Sequence, residues 1–158
     1  MSIRITQAQP SDAPLIAGLV GDLLREIMAA IETRAFEFSL TDTEIRARGW
    51  VTDGSYTVLL AHEDETAAGF LALSECRALY AEGEFGIIPE LYVRPAFRSR
   101  KLGTMLVAEA KQVARSKGWT RLEVTTPPLP QFDRTLAFYE RQGFSISEIG
   151  RASCRERV

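Results

Sequence analysis

Histidine and cysteine are nearly missing from this chain of 158 residues: His62 stands alone, and the cysteines are Cys76 and Cys154. Two cysteines are too few for a disulfide framework or a thiolate metal cluster. Cys76 lies in a strand-like run and is expected to be a small buried hydrophobe. His62 falls in a polar turn, His62-Glu63-Asp64-Glu65-Thr66, and is expected at the surface. No apolar run approaches the ~18 residues of a membrane span. The opening Met1-Ser2-Ile3-Arg4-Ile5 reads as a strand rather than a secretion leader, so a cytoplasmic location without a membrane partner is expected. Charge of one sign is also lacking. Lys and Arg number 19 against 21 Asp and Glu, a net charge of −2, so nothing draws the whole surface toward nucleic acid. Neither Gly-x-x-x-x-Gly-Lys-Ser/Thr nor Gly-x-Gly-x-x-Gly occurs, which excludes two familiar glycine-rich phosphate loops. Internal repeats and low-complexity tracts are absent too.

What is present suits one domain with a sizeable core: 46% hydrophobic and 25% charged residues. Ile3 and Ile5 alternate with polar neighbours as a first strand. Pro10-Ser11-Asp12-Ala13-Pro14 starts a helix, with Ser11 or Asp12 as cap, and Leu15, Ile16, Leu19, Val20, Leu23, Leu24 and Ile27 recur along one face. Phe36 and Phe38 then line a loop or cap a cleft, and Thr41 to Trp50 reads as a short helix begun by Thr41 or Asp42. Tyr56–Ala61 and Ala67–Leu73 form a hairpin, and Phe85–Val93 is the next strand. Pro89 inside that run donates no ladder hydrogen bond, which implies a bulge or an unpaired edge.

The strand leads into Pro95-Ala96-Phe97-Arg98-Ser99-Arg100-Lys101-Leu102-Gly103-Thr104, and an amphipathic helix follows from Thr104 to Lys117, closed by Gly118. A strand, a short basic turn and a helix start is how chains hold phosphates. The free N–H groups and the macrodipole of a helix N-terminus favour an anion there. Arg98, Arg100 and Lys101 add charge-assisted hydrogen bonds, so a phosphorylated cofactor is expected at this turn. Arg121–Thr126 is a strand, Pro127-Pro128-Leu129-Pro130 a stiff connector, and Asp133 or Thr135 opens a last helix through Tyr139 that stops at Gly143. The order β-α-α-β-β-β-α-β-α implies an α/β (α+β) fold with a mixed sheet and helices on both faces.

Leu91-Tyr92-Val93-Arg94-Pro95, the turn from Arg98 to Gly103, the strand at Leu122 and the helix end Ala137-Phe138-Tyr139-Glu140-Arg141-Gln142-Gly143-Phe144 together resemble the GNAT superfamily of acetyl-CoA-dependent N-acetyltransferases, over about residues 3 to 147. The resemblance implies a mostly antiparallel twisted sheet with a splayed central strand pair. It implies acetyl-CoA as cosubstrate, no metal, and a small-molecule or peptide amine as acceptor. Members place the pantetheine arm along the strand that is Leu91, Tyr92 and Val93 here, and the pyrophosphate on the turn, here Arg98, Ser99, Arg100, Lys101, Leu102, Gly103 and Thr104. The family turn reads Arg/Gln-x-x-Gly-x-Gly/Ala; Arg98 and Gly103 match, but Lys101 replaces the middle glycine. Glycine there lets the backbone approach the phosphates closely.

Tyr139 matches a tyrosine that many members use as the acid protonating the departing thiolate; the alternative is a core tyrosine beside Phe138. Glu90 lies on the splayed strand, where several members place a base for the acceptor ammonium, directly or through water. Glu84 is the alternative base. Glu84 and Phe36 are also expected to touch substrate, and the acidic group Glu82, Glu84 and Glu90 leans toward a cationic small molecule. The family often carries an asparagine at the start of the last helix, where Arg134 or Thr135 is expected here. A non-catalytic acyl-CoA sensor and a transferase of longer acyl chains are the other classes the resemblance leaves open. Many members form homodimers, though no apolar stripe here predicts one.

The end of the chain has no core logic. Ile149 to Val158, with the junction in the codon of Glu148, resembles the in-frame translation of a common sequencing adapter. The expected domain is therefore 1–147, with 148–158 a foreign tail and the family's last strand missing.

Overall fold

The structure is a computed structural model, and it describes residues 2–81, 83–98, 100–126, 131–146 and 153–157. Eight strands form one sheet: β1 (Ile3–Gln7), β2 (Tyr56–Glu63), β3 (Thr66–Ala78), β4 (Gly83–Ile88), β5 (Leu91–Val93), β6 (Arg121–Thr125), β7 (Ser145–Ile146) and β8 (Ser153–Arg157). Among the described residues four α-helices cover it: α1 (Ala13–Ile31), α2 (Leu40–Asp53), α3 (Leu102–Ser116) and α4 (Asp133–Arg141). The sheet order is β1-β2-β3-β4-β6-β8-β7, with β5 paired to β3 alone, and only the β4–β6 pair is parallel. The open, mostly antiparallel sheet with helices on both faces is the expected architecture.

Strands β2 and β3 are buried on both faces, which explains their near-continuous apolar runs. Val58, Leu60, Phe70 and Ala72 pack with Ile16 and Leu19 of α1; Leu59, Leu71 and Leu73 pack on the other face with Leu106, Val107 and Ala110 of α3. Two side chains differ from expectation. Cys76 is half-buried, with its Sγ 3.9 Å from the Arg77 carbonyl oxygen. His62 belongs to β2 rather than to a turn and is half-buried, because the reversal tightens to Asp64 and Glu65.

Helix α2 begins one residue before the expected Thr41. Ser39 is its cap, its Oγ accepting from the Asp42 N–H at 3.2 Å. Phe38 folds back onto α1 at Gly21, where a Cβ would stand 2.8 Å from the ring. Among the described residues no helix is long and apolar enough to cross a membrane. The tail requires a correction. The last strand of the sheet was expected to be missing, yet β8 lies antiparallel between β6 and β7, pairing Leu122 with Glu156 and Val124 with Cys154. Apolar alternation was the wrong criterion there, since β6 needs main-chain partners along that edge and any extended segment supplies them.

Candidate active site

The strand run 85–93 breaks where Pro89 predicts it. Strand β4 is paired on both sides, to β3 and, from Gly86 to Ile88, to β6. Two residues later β5 keeps only β3, with Leu91 opposite Leu71, Tyr92 opposite Phe70 and Val93 opposite Gly69. The Ala72 N–H donates to the Glu90 carbonyl at 2.9 Å, and the Arg94 N–H to the Ala68 carbonyl at 2.8 Å. Antiparallel alternation then turns the main-chain groups of Leu91 and Val93 away from β3, toward the side where β6 has departed. Gly69 permits this close pairing, for a Cβ there would lie 2.4 Å from the Tyr92 carbonyl oxygen. The splay opens a cleft of about 570 Å³ between β5 and α4, closed on its flanks by Leu23 and Ile27 of α1 and by the start of α3.

The basic turn forms the floor of that cleft. Lys101, in place of the family glycine, caps α3 in the left-handed conformation, φ 60° and ψ 23°. The turn geometry that glycine favours is thus kept by a lysine. Among the described residues no side chain caps α3, which leaves the N–H groups of its first turn for an anion. Gly103 packs beneath the ring of Phe138, where a Cβ would be 3.1 Å away.

The two arginines of the turn serve differently from expectation. Arg98 donates from Nε to the Val93 carbonyl (2.8 Å) and from Nη2 to both carboxylate oxygens of Glu26 on α1 (2.8 and 2.9 Å), and it sits over the Tyr92 ring. Arg100 donates to Glu63 at the end of β2, with Phe97 under its guanidinium. Both arginines therefore tie the turn to the rest of the chain. Lys101 is the cation of the turn with no such partner among the described residues. Ser99 lies outside the described residues.

Glu90 and Tyr139 face one cleft. Glu90 is half-buried at the break between β4 and β5, and burial pushes its carboxyl above the usual carboxylate range. Tyr56, at the start of β2, donates its phenol to Glu90 Oε2, which pulls the carboxyl part of the way back down. Burial, together with the Glu90 charge, drives the Tyr56 phenol far up, so it remains a donor. Tyr139 is buried on α4, edge-on to Phe138 (centroids 5.4 Å) and Phe144 (5.7 Å). The Tyr92 side chain points into the core on the α1 face, and burial raises its phenol.

Other expected residues stand apart. Glu84 is exposed at the β3–β4 hairpin and paired to Arg77 at 3.0 Å, away from the cleft. Phe36 is 42% exposed between α1 and α2 and does not line the cleft. Glu82 lies outside the described residues. Phe132 occupies the N-cap of α4, so Arg134 and Thr135 fall in its first turn; all three line the cleft. Sequence reasoning missed Tyr56 and Glu26. Each acts across more than 30 residues of chain, and only the short polar gap before β2 hinted that Tyr56 opens a strand.

The family model for the acetyltransferase (GNAT) family matches residues 24–144. No curated protein matches the chain by sequence. Solved structures share the fold. The PaiA N-acetyltransferase of Thermoplasma acidophilum in complex with coenzyme A aligns over 100% of both chains at 19% identity, with a TM-score of 0.71. An aminoglycoside acetyltransferase from an uncultured soil metagenomic sample, in complex with sisomicin, aligns over 89% of this chain and 86% of its own at 18% identity, TM-score 0.69. A ribosomal-protein-alanine N-acetyltransferase from Brucella melitensis biovar Abortus 2308 aligns over 89% and 90%, at 18% identity and TM-score 0.66. With its splayed strand pair, uncapped helix start and matched family model, the chain belongs to the GNAT acetyltransferase family.

Proposed function

We propose that this protein transfers an acetyl group from acetyl-CoA directly to a primary amine of a small molecule or peptide. The observation that carries the reading is the one-sided pairing of β5 beside the open start of α3. The residues present fit the cosubstrate. The main-chain groups of Leu91 and the N–H of Val93 face outward for an extended arm, the α3 start and Lys101 offer donors for a diphosphate, and Leu23, Ile27 and Phe138 supply apolar walls. Acetyl-CoA, when bound, supplies the activated thioester.

Glu90 takes a proton from the acceptor ammonium, directly or through water, because only the neutral amine has a free electron pair. Its raised carboxyl suits a base working near neutrality. The main-chain N–H of Leu91 or Val93 supports the carbonyl oxygen as negative charge builds on it. The new C–N bond forms as the C–S bond breaks, and Tyr139 gives its phenolic proton to the departing sulfur. The amine nitrogen loses two protons in all: one through Glu90 to solvent before attack, and one after the C–N bond forms, which restores the Tyr139 phenol once that phenol has delivered its own proton to sulfur.

Acetyl-CoA turnover against a panel of amines, read by free-thiol release, tests the reading. The panel includes aminoglycosides, because one structural neighbour is an aminoglycoside acetyltransferase. Thiol release dependent on an acceptor is expected. Tight coenzyme A binding with no release in any arm would instead indicate a sensor.

A further inference from the structure

Tyr56 hydrogen-bonds Glu90 and has no part in the mechanism above. Tyr56 projects from β2, and the strand it reaches toward is not its neighbour: β3 lies between β2 and β5. The row across the sheet at this height is Val58, Ala72 and Glu90. Tyr56 stands two residues before Val58, so its side chain shares the α1–α2 face of the sheet with that row. Tyr56 stands opposite Ser74 on β3, and its phenol reaches across to Glu90 Oε2. Trp50 of α2 packs against the Tyr56 ring, centroids 5.2 Å apart and tilted by 53°, and fences it in place.

We propose that Tyr56 is a positioning residue: its hydroxyl holds Glu90 Oε2 and so presents Oε1 to the acceptor amine. The inference rests on the reading of Glu90 as the base. A glutamate at a strand break has three side-chain torsions, and one fixed oxygen removes most of that freedom. The bond also favours the ionised carboxylate that a base needs, against the burial that disfavours it. The other charged groups lining the cleft are Glu26 on α1, Arg98 and Lys101 on the turn, and Arg134 and Arg141 on α4; Tyr139 faces it from α4. Burial raises the Glu90 carboxyl and the Tyr56 bond lowers it.

The test is the pH profile of kcat/KM for Tyr56→Phe in the full chain, with acetyl-CoA and an amine that the wild type accepts. The acid limb is expected to move up by about one pH unit, giving roughly tenfold less activity below it, with a smaller loss left on the plateau because Oε1 is no longer held toward the amine. A loss equal at all pH values, or an unmoved limb, overturns the proposal. If Tyr56→Phe melts too early to assay, 3,5-difluorotyrosine placed at position 56 keeps the shape and strengthens the donor. The limb must then move down, and an unmoved limb is again fatal. Glu90→Gln separates the two levels. Full activity in Glu90→Gln overturns the base reading and this inference together, whereas an inactive Glu90→Gln with an unmoved Tyr56→Phe limb overturns this inference alone.

Discussion

Strands β4 and β5 are two halves of one run, separated by Pro89 and Glu90, and they behave differently. Strand β4 has neighbours on both edges and carries Phe85 and Ile88 into the core. Strand β5 has one neighbour and lends its other edge to a cleft. A strand satisfied on both sides can only support. One satisfied on a single side, within walls, can also bind. The break between them is also where the chain places its half-buried carboxylate. The proposed base thus sits at the transition from full to partial pairing.

The largest expected effect comes from emptying that transition of its proton chemistry. Glu90→Gln is expected to lower kcat by about 10²–10⁴-fold, and Tyr139→Phe by an amount near the lower end of that range. In both, the coenzyme A dissociation constant measured by calorimetry should hold steady. Weakened binding with intact kcat would reverse the division between β5 as a binding edge and these side chains as the reacting groups.

A pair of glycine variants sharpens the comparison itself. At Gly69 a Cβ meets the backbone of β5, and at Gly86, on β4, it meets the Trp119 ring at 2.5 Å. Each substitution to alanine should cost about 1–3 kcal/mol of stability by denaturant titration. Gly69→Ala should also raise the KM for acetyl-CoA, because β5 must move, while Gly86→Ala should leave KM near wild type. Equal KM changes would mean that the two half-strands are not functionally distinct.

The smallest effect is at the turn. Lys101→Gly removes a left-handed lysine, worth about 1–2 kcal/mol, and adds chain flexibility costing about 0.5–1 kcal/mol. A net gain near 0.5 kcal/mol in thermal unfolding is expected. A loss of stability would show that the lysine stem packs usefully.

Much of this was legible in the chain. Pro89 announced the break in the strand run because a residue without an N–H cannot continue a ladder. The uncapped start of α3 followed from a basic turn running into an amphipathic helix. What stayed hidden was partnership over distance. Arg98 and Arg100 read as free cations, because Glu26 and Glu63 lie 72 and 37 residues away in the chain. Glu84 and Phe36 were drawn to the site by proximity in sequence or by chemistry alone, and the sheet carries both elsewhere.

Strand β8 was illegible because main-chain pairing leaves no apolar signature. We propose that residues 148–158 are nonetheless foreign to the protein. The gene recovered from its source DNA is expected to diverge from codon 148 onward, and agreement through Val158 would refute this.

Unpaired main chain at a sheet edge ordinarily invites strands of other molecules, and sheet-to-sheet association follows. Here the lone edge of β5 is only three residues long and sits between the walls of α1 and α4. A slender flexible chain can slide into such a slot, but a pleated strand with side chains on both faces is too broad. The same walls that shape the cleft therefore let the protein keep open hydrogen-bonding groups without becoming sticky.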